Sequence, residues 1–149
     1  MAIISCSAQI KAPQARVFEA FTDLENAPSR IEGIQKLELL TPGPVGKGTR
    51  FRETRIMFKK EATEDMEFTQ FNPPESYVVE AESHGSHYTS TFTFKPNGEG
   101  TEVAMTFEAK PLTFMAKIFS VMFFFMKGSL KKCLVDDMND LKTHLEASA

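Results

Sequence analysis

From Leu112 to Leu145 the apolar side chains recur at steps of three and four, so that Phe119, Phe123, Met126, Leu130, Leu134, Met138, Leu141 and Leu145 fall on one stripe of an α-helix. No other stretch has the length and period of a major helix, and the rest of the chain has to supply a wall for that stripe. In its second half Lys131, Lys132, Asp136, Asp137, Asn139, Asp140 and Lys142 take the other faces, as in an ordinary amphipathic helix. From Phe114 to Met126, by contrast, Lys117 is the one charged residue. Successive residues advance about 100° around a helix, so Phe123, Phe124 and Phe125 cannot all face one wall. The surplus apolar surface calls for a second wall of protein, a bound apolar molecule, a partner chain or a lipid surface. A membrane span is not expected, because the hydrocarbon core needs roughly 20 apolar residues and this run is shorter, with Lys117 and Lys127 at its flanks. Gly128, which costs about 1 kcal/mol against alanine inside a helix, is a candidate bend or break, with Ser129 opening the second piece.

Ahead of this helix the period is two. Ile4, Cys6, Ala8 and Ile10 alternate with Ser5, Ser7, Gln9 and Lys11, the pattern of a half-buried strand. Pro13 suits the first turn of a short helix whose apolar face is Val17, Phe18, Phe21 and Leu24. Asn26, Pro28 and Gly33 interrupt the next stretch, which has room for another helical turn or two before Ile34–Leu40 resumes an extended pattern. Thr41–Gly48 is rich in turn formers and reads as a hairpin connection. It lacks the Gly-x-x-x-x-Gly-Lys-Ser/Thr spacing of a phosphate loop, and a strand follows it rather than a helix.

Thr49–Phe58 sets Phe51, Glu53, Arg55 and Met57 against Arg50, Arg52, Thr54, Ile56 and Phe58; both faces are mixed and its inward side is open. In Glu61–Phe71 the drier face is Ala62, Glu64, Met66 and Phe68, which turns Glu64 inward. Ser76–Ser83 follows the Asn72-Pro73-Pro74 turn with Tyr77, Val79 and Ala81 on one face. Tyr88–Lys95 places Tyr88, Ser90, Phe92 and Phe94 opposite a threonine row. After the tight Pro96–Gly100 turn, Thr101–Lys110 puts Val103, Met105, Phe107 and Ala109 inward. The order is therefore strand, short helices, six antiparallel strands and a long helix: an α+β layout of about seven strands curled over the C-terminal helix, with a cavity where the bent sheet cannot close on it.

Composition narrows the function. The 149 residues suit one domain, 1–149, with one core. A net charge of −3 without an Arg/Lys cluster argues against a nucleic-acid partner. No charged leader and apolar stretch opens the chain, so a cytoplasmic protein is expected. Cys6 and Cys133 read as buried thiols rather than a bridge. Fourteen phenylalanines and eight methionines suit a well-filled core and equally an adaptable apolar pocket.

The opening strand leading into Pro13-Gln-Ala-Arg-Val-Phe-Glu-Ala-Phe-Thr-Asp23, the Val45-Gly-Lys-Gly-Thr-Arg-Phe-Arg52 strand entry, Asn72-Pro-Pro-Glu75, Gly100-Thr-Glu-Val103 and the terminal Asp140-Leu-Lys-Thr-His-Leu-Glu146 appear in an order and spacing that resemble the helix-grip (SRPBCC, START-like) superfamily, in particular its polyketide cyclase/dehydrase-like branch. The resemblance implies a helix-grip fold and a cavity for lipids, sterols, polyketides or similar apolar molecules. It supplies no catalytic motif that maps onto this chain, since one fold hosts many activities.

Candidate chemistry is sparse. His84 and His87 share a turn with no third ligand in view, and His144 reads as a surface residue, so neither a metal nor a cofactor is expected. No nucleophile and base converge, and no catalytic residue is assigned. The cavity wall is expected to comprise Phe51, Glu53, Arg55, Met57, Glu64, Met66, Phe68, Tyr77, Val79, Tyr88, Phe92, Met105 and Phe107 from the sheet, with Met115, Phe119, Met122, Phe123 and Met126 from the helix. Charges on dry strand faces need partners: Arg55 pairs with Glu53 or Glu64, or Arg55 and Glu64 with Tyr77 or Tyr88 orient a carbonyl or hydroxyl of a ligand. Three readings follow. The first is a binder or carrier of a hydrophobic small molecule, and the second a cyclase or dehydratase working without metal. The third is an interaction module using the 114–126 surface, through a homodimer, another partner or a membrane face.

Overall fold

The computed structural model describes residues 2–57, 60–83 and 85–147; of residues 2, 57 and 119–127 it describes the backbone alone. Strand Ala2–Ile10 (β1) leads to helices Gln14–Thr22 (α1) and Ala27–Arg30 (α2). Six strands follow, Ile34–Leu39 (β2), Arg50–Met57 (β3), Lys60–Asn72 (β4), Ser76–Ser83 (β5), Ser86–Asn97 (β6) and Gly100–Pro111 (β7), and the chain closes on helix Phe114–Ala147 (α3). The sheet is antiparallel throughout, in the order β1-β7-β6-β5-β4-β3-β2. Every strand after β1 is thus a hairpin neighbour of the next, and β1 closes onto β7.

Period-two alternation sets which residues enter the core. Ile4 and Ile10, Phe68, Tyr77, Phe94 and Val103 are all buried, on the faces their strands' alternation selects. Two bulges alter that rule. A register shift in β4 between Phe68 and Gln70 lets Phe68 and Phe71, three residues apart, both turn inward, their rings 5.7 Å apart. Another in β2 between Ile34 and Lys36 does the same for Ile34 and Leu37. On β3 the inward face carries Phe51, Glu53 and Arg55, which settles the side that its mixed composition leaves open. At the β6–β7 turn Gly98 has φ +66°, a left-handed conformation that favours glycine.

Helix α1 plugs one end of the curved sheet. Phe18 meets Phe71, Phe94 and Tyr77 edge-on at 5.3, 5.2 and 5.8 Å, the geometry that ring quadrupoles favour. Helix α2 and β2 pack Ala27, Ile31 and Ile34 against Leu141 of α3. The backbone N–H of Glu32 donates to Asp140 Oδ2 at 3.1 Å and that of Lys11 to Glu146 Oε2 at 2.9 Å, tying the first third of the chain to the last helix.

Helix α3 runs through Gly128 as one 34-residue element, not two. Of its described stripe residues, Leu130, Met138, Leu141 and Leu145 are buried, and Leu134 is half-buried against the core. Among the described residues no helix is long and apolar enough to cross a membrane.

Candidate functional site

Between the concave face of the sheet and α3 lies a cavity of about 410 Å³, within the ~300–1,000 Å³ range of small-molecule sites. Its origin can be read along the inward rows. On β4 the side chains run Phe68, Met66, Glu64, Ala62; on β5 Tyr77, Val79, Ala81; on β6 Phe94 and Phe92 give way to Ser90 before Tyr88. Towards α1 the inward positions of these strands carry rings; towards the opposite end they include alanines and a serine, with Tyr88 stacked on Phe107 at 5.7 Å. Stacked Tyr77 and Phe92, with centroids 4.7 Å apart and planes 18° apart, form part of the wall where the two regimes meet.

Phe51, Glu53, Arg55, Glu64, Met66, Phe68, Tyr77, Val79, Tyr88, Phe92, Met105 and Phe107 all line this cavity. Met115 does not. It is 58% exposed, because the first turn of α3 meets the protein through Ala116, which is buried against the Gly85 loop, and Met115 is turned about 100° away. Met57, Phe119, Met122, Phe123 and Met126 are side chains outside the described residues, as is His84. His87 lies near Glu80, Nε2 to Oε1 2.8 Å, and His144 is half-buried near the end of α3. Among the described residues no cluster of three or more His, Cys, Asp or Glu could hold a metal ion.

The polar part of the wall is a buried ion cluster. Arg55 Nε donates to Glu53 Oε1 at 2.5 Å and its Nη1 to Asp137 Oδ2 at 2.9 Å. The three side chains are 16%, 10% and 23% exposed, so the guanidinium is held between two carboxylates largely out of water. Burial works against its charge, but Glu53 and Asp137 together outweigh it and raise the Arg55 pKa. Asp137 shows the other side of that sharing. Burial pushes its carboxyl up to about 6, and Arg55 pulls it down only partly while Glu53 and Asp140 push the same way as burial. Cross-strand from Glu53 stands Glu64, whose Oε1 accepts from Ser83 Oγ at 3.1 Å. The Tyr77 hydroxyl is raised far above its ordinary pKa by burial, with Glu53 adding to it, and Tyr88 is raised by burial and by Glu64 against the pull of a Ser86 hydrogen bond. Both phenols are therefore hydrogen-bonding groups, not anions, at neutral pH.

Asp137 is the principal correction to the sequence reading, which sets it on the wet face of α3 and offers Arg55 only Glu53 or Glu64. It lies three residues after Leu134 and four before Leu141, within the apolar stripe. A carboxylate inside such a stripe is a signal for a buried partner, and Arg55 is that partner. The lining also includes Phe21, Leu24, Ala27, Ile31, Ile34 and Leu37 from the α1–β2 region, Ala62, Ala81 and Ser90 from the sheet, and Leu130, Leu134, Met138 and Leu141 from α3. None of these is among the wall residues expected from sequence, because the short helices read as packing rather than as a third wall.

The family model described as "Polyketide cyclase / dehydrase and lipid transport" matches residues 1–146. The chain belongs to that family. Its fold is the helix-grip fold of the superfamily, and solved structures share it at low identity. TTHA0849 from Thermus thermophilus is 19% identical with a TM-score of 0.79 over 99% of both chains. Ginseng major latex-like protein 151 from Panax ginseng is 13% identical with a TM-score of 0.76 over 97% of both. The di-domain ARO/CYC BexL from the BE-7585A biosynthetic pathway is 16% identical with a TM-score of 0.80, over 97% of this chain and 50% of that one. Identities this low carry the architecture alone. No curated protein matches the sequence.

Proposed function

We propose that the protein binds a hydrophobic small molecule in the cavity between sheet and α3, with an apolar body against Met66, Val79, Phe92, Met105, Phe107 and Leu134 and a polar end near Glu53, Arg55, Glu64 and Asp137. The observation that carries this reading is the pairing of a mostly apolar hollow with one localised polar cluster. The apolar wall favours transfer of a greasy guest from water, and the cluster gives that guest an orientation. Arg55 is already held by two carboxylates and Glu64 by Ser83, which suits a fixed polar surface better than a group that must exchange protons at each turnover. Native mass spectrometry of the full chain tests the reading. One equivalent of an apolar mass, retained on purification or exchangeable, is expected. An empty chain that also fails to take up an apolar fluorophore would overturn it.

A second reading is favoured by the presence of Arg55, Glu64, Tyr77 and Tyr88 on one cavity wall. In a cyclase or dehydratase the Arg55 guanidinium would polarise a carbonyl, and Glu64 or Tyr88 would carry a proton. Arg55→Lys keeps the charge but loses the two-sided hold. A cyclase would lose turnover in that variant while keeping ligand affinity, whereas a carrier has no turnover to lose.

A further inference from the structure

The start of α3 presents four large apolar side chains to solvent: Phe114 is 76% exposed, Met115 58%, Ile118 50%, and Leu112, just ahead of the helix, 48%. Helical geometry fans Phe114, Ile118 and Met115 across about 100° of one side, sets Lys117 about 60° from Phe114, and leaves Ala116 on the opposite side. Ala116 is the buried residue of this turn, so the fan faces away from the protein's own core. Along the chain this segment is basic, with Glu82 as the nearest acid in register, across His87 from Lys110. Residues 109–135 contain Lys110, Lys117, Lys127, Lys131 and Lys132 and no Asp or Glu, in a chain of net charge −3, so the remainder carries −8. Lys132, at the far end, pairs with Asp136 at 2.9 Å; Lys110 and Lys117 flank the apolar fan.

We propose that this end of α3 docks on an anionic lipid bilayer, with Leu112, Phe114, Met115 and Ile118 entering the headgroup boundary and Lys110 and Lys117 meeting the lipid charges. An exposed apolar fan edged by lysines, whose stems can lie along apolar surface while the ammonium stays wet, is the composition of an interfacial helix. A negative surface attracts the acid-free segment and repels the rest of the molecule, so the charge asymmetry orients the protein with this end down. A second copy fits less well. A two-fold contact would set the segment against itself and bring its lysines close to one another. A nucleic acid would neutralise the lysines but leave the four apolar side chains in water. The proposal stands on surface residues and does not depend on what occupies the cavity.

The test is co-sedimentation of the full chain with vesicles of phosphatidylcholine alone and of phosphatidylcholine containing phosphatidylserine. Binding is expected to the second only, weakening as salt rises. The double variant Phe114→Ser/Ile118→Ser is expected to lower the partition by about tenfold or more, with an unchanged thermal midpoint because both side chains are exposed. Lys110→Glu/Lys117→Glu is expected to remove the preference for anionic vesicles. Uptake of an apolar fluorophore in lipid-free buffer should be the same in the parent and in Phe114→Ser/Ile118→Ser, which separates this surface from the cavity. Equal binding to both vesicle types, no binding, or a Phe114→Ser/Ile118→Ser variant that sediments like the parent would overturn the proposal. A concentration-dependent dimer dissolved by Phe114→Ser would also overturn it and assign the surface to a second copy.

Discussion

The two ends of the concave sheet are built from the same strands and differ in what stands on them. At the α1 end, Phe18, Phe68, Phe71, Tyr77 and Phe94 form an aromatic cluster, edge-to-face around Phe18 and between Phe68 and Phe71, in which Phe68 and Phe94 are each 1% exposed. Towards the other end the inward positions include Ala62, Ala81 and Ser90, which line the cavity beside Glu64, Met66, Tyr88 and Phe107. Interiors pack densely wherever side chains are large enough to meet. Small residues on three neighbouring strands leave volume out of the inward rows, while the aromatic end fills its own.

Substitutions should separate the two ends, and the largest effect is expected in the packed one. Phe18→Ala removes a ring that touches three others and should cost about 3–5 kcal/mol in chemical denaturation, while leaving the other end's lining in place. A loss under about 1 kcal/mol would mean that the aromatic end is not the stabilising one. Close behind comes the ion cluster. Arg55→Met strands Glu53 and Asp137 as buried carboxylates without their cation and should cost about 3–5 kcal/mol at neutral pH, with part of the loss recovered on acidification as the carboxylates take up protons.

A smaller and more diagnostic effect is the pH dependence of Asp137. The folded protein holds the proton of this group up to about pH 6, whereas the unfolded chain releases it near the ordinary aspartate value of about 3.9. Between those values the folded state binds more protons than the unfolded one, so this group's contribution to stability is present below about pH 4 and is lost as pH rises through 6. Relative to Asp137→Asn, the parent should therefore lose on the order of 2 kcal/mol between pH 4 and pH 7. A difference that is flat or grows with pH would contradict the assignment. The smallest stability effect is expected at the other end. Ala81→Leu adds methylenes where there is space for them, and should shift the unfolding free energy by less than about 1 kcal/mol.

Much of this contrast can be read along the chain. Alternation locates the inward rows of β1 and β4 to β7, and the three-and-four spacing places Leu130, Met138, Leu141 and Leu145 on the buried stripe of α3. The descent from Phe68 to Ala62 and from Tyr77 to Ala81 is also written in the sequence, but what surrounds the small residues is not: pairing sets Ala81 between Met66 and Tyr88, Ser90 between Val79 and Phe107, and Ala62 opposite Arg55. The bulges that turn Phe71 and Leu37 inward escape strict alternation, because a bulge shifts the period without any obligatory residue. Met115 misleads for a different reason. It continues the periodic spacing of α3, but what a helix face meets depends on how far the sheet extends beneath it, and here Ala116 makes the contact. Asp137 is the opposite case: its position in the stripe is plain, and its polarity hides it, since a charge among apolar neighbours is buried only when a partner such as Arg55 arrives from 82 residues away.

The proposed function rests on an apolar guest entering the cavity that Ala62, Ala81 and Ser90 help to line. The most direct measurement is an equilibrium titration of a solvatochromic apolar fluorophore into the full chain and into the double variant Ala81→Leu/Ser90→Leu, with unfolding midpoints recorded for both. Saturable binding of one equivalent by the parent, weakened about tenfold or more in a variant that unfolds at the same or a higher midpoint, is the predicted result. Equal affinity in the two proteins would contradict the claim, as would a parent that binds nothing.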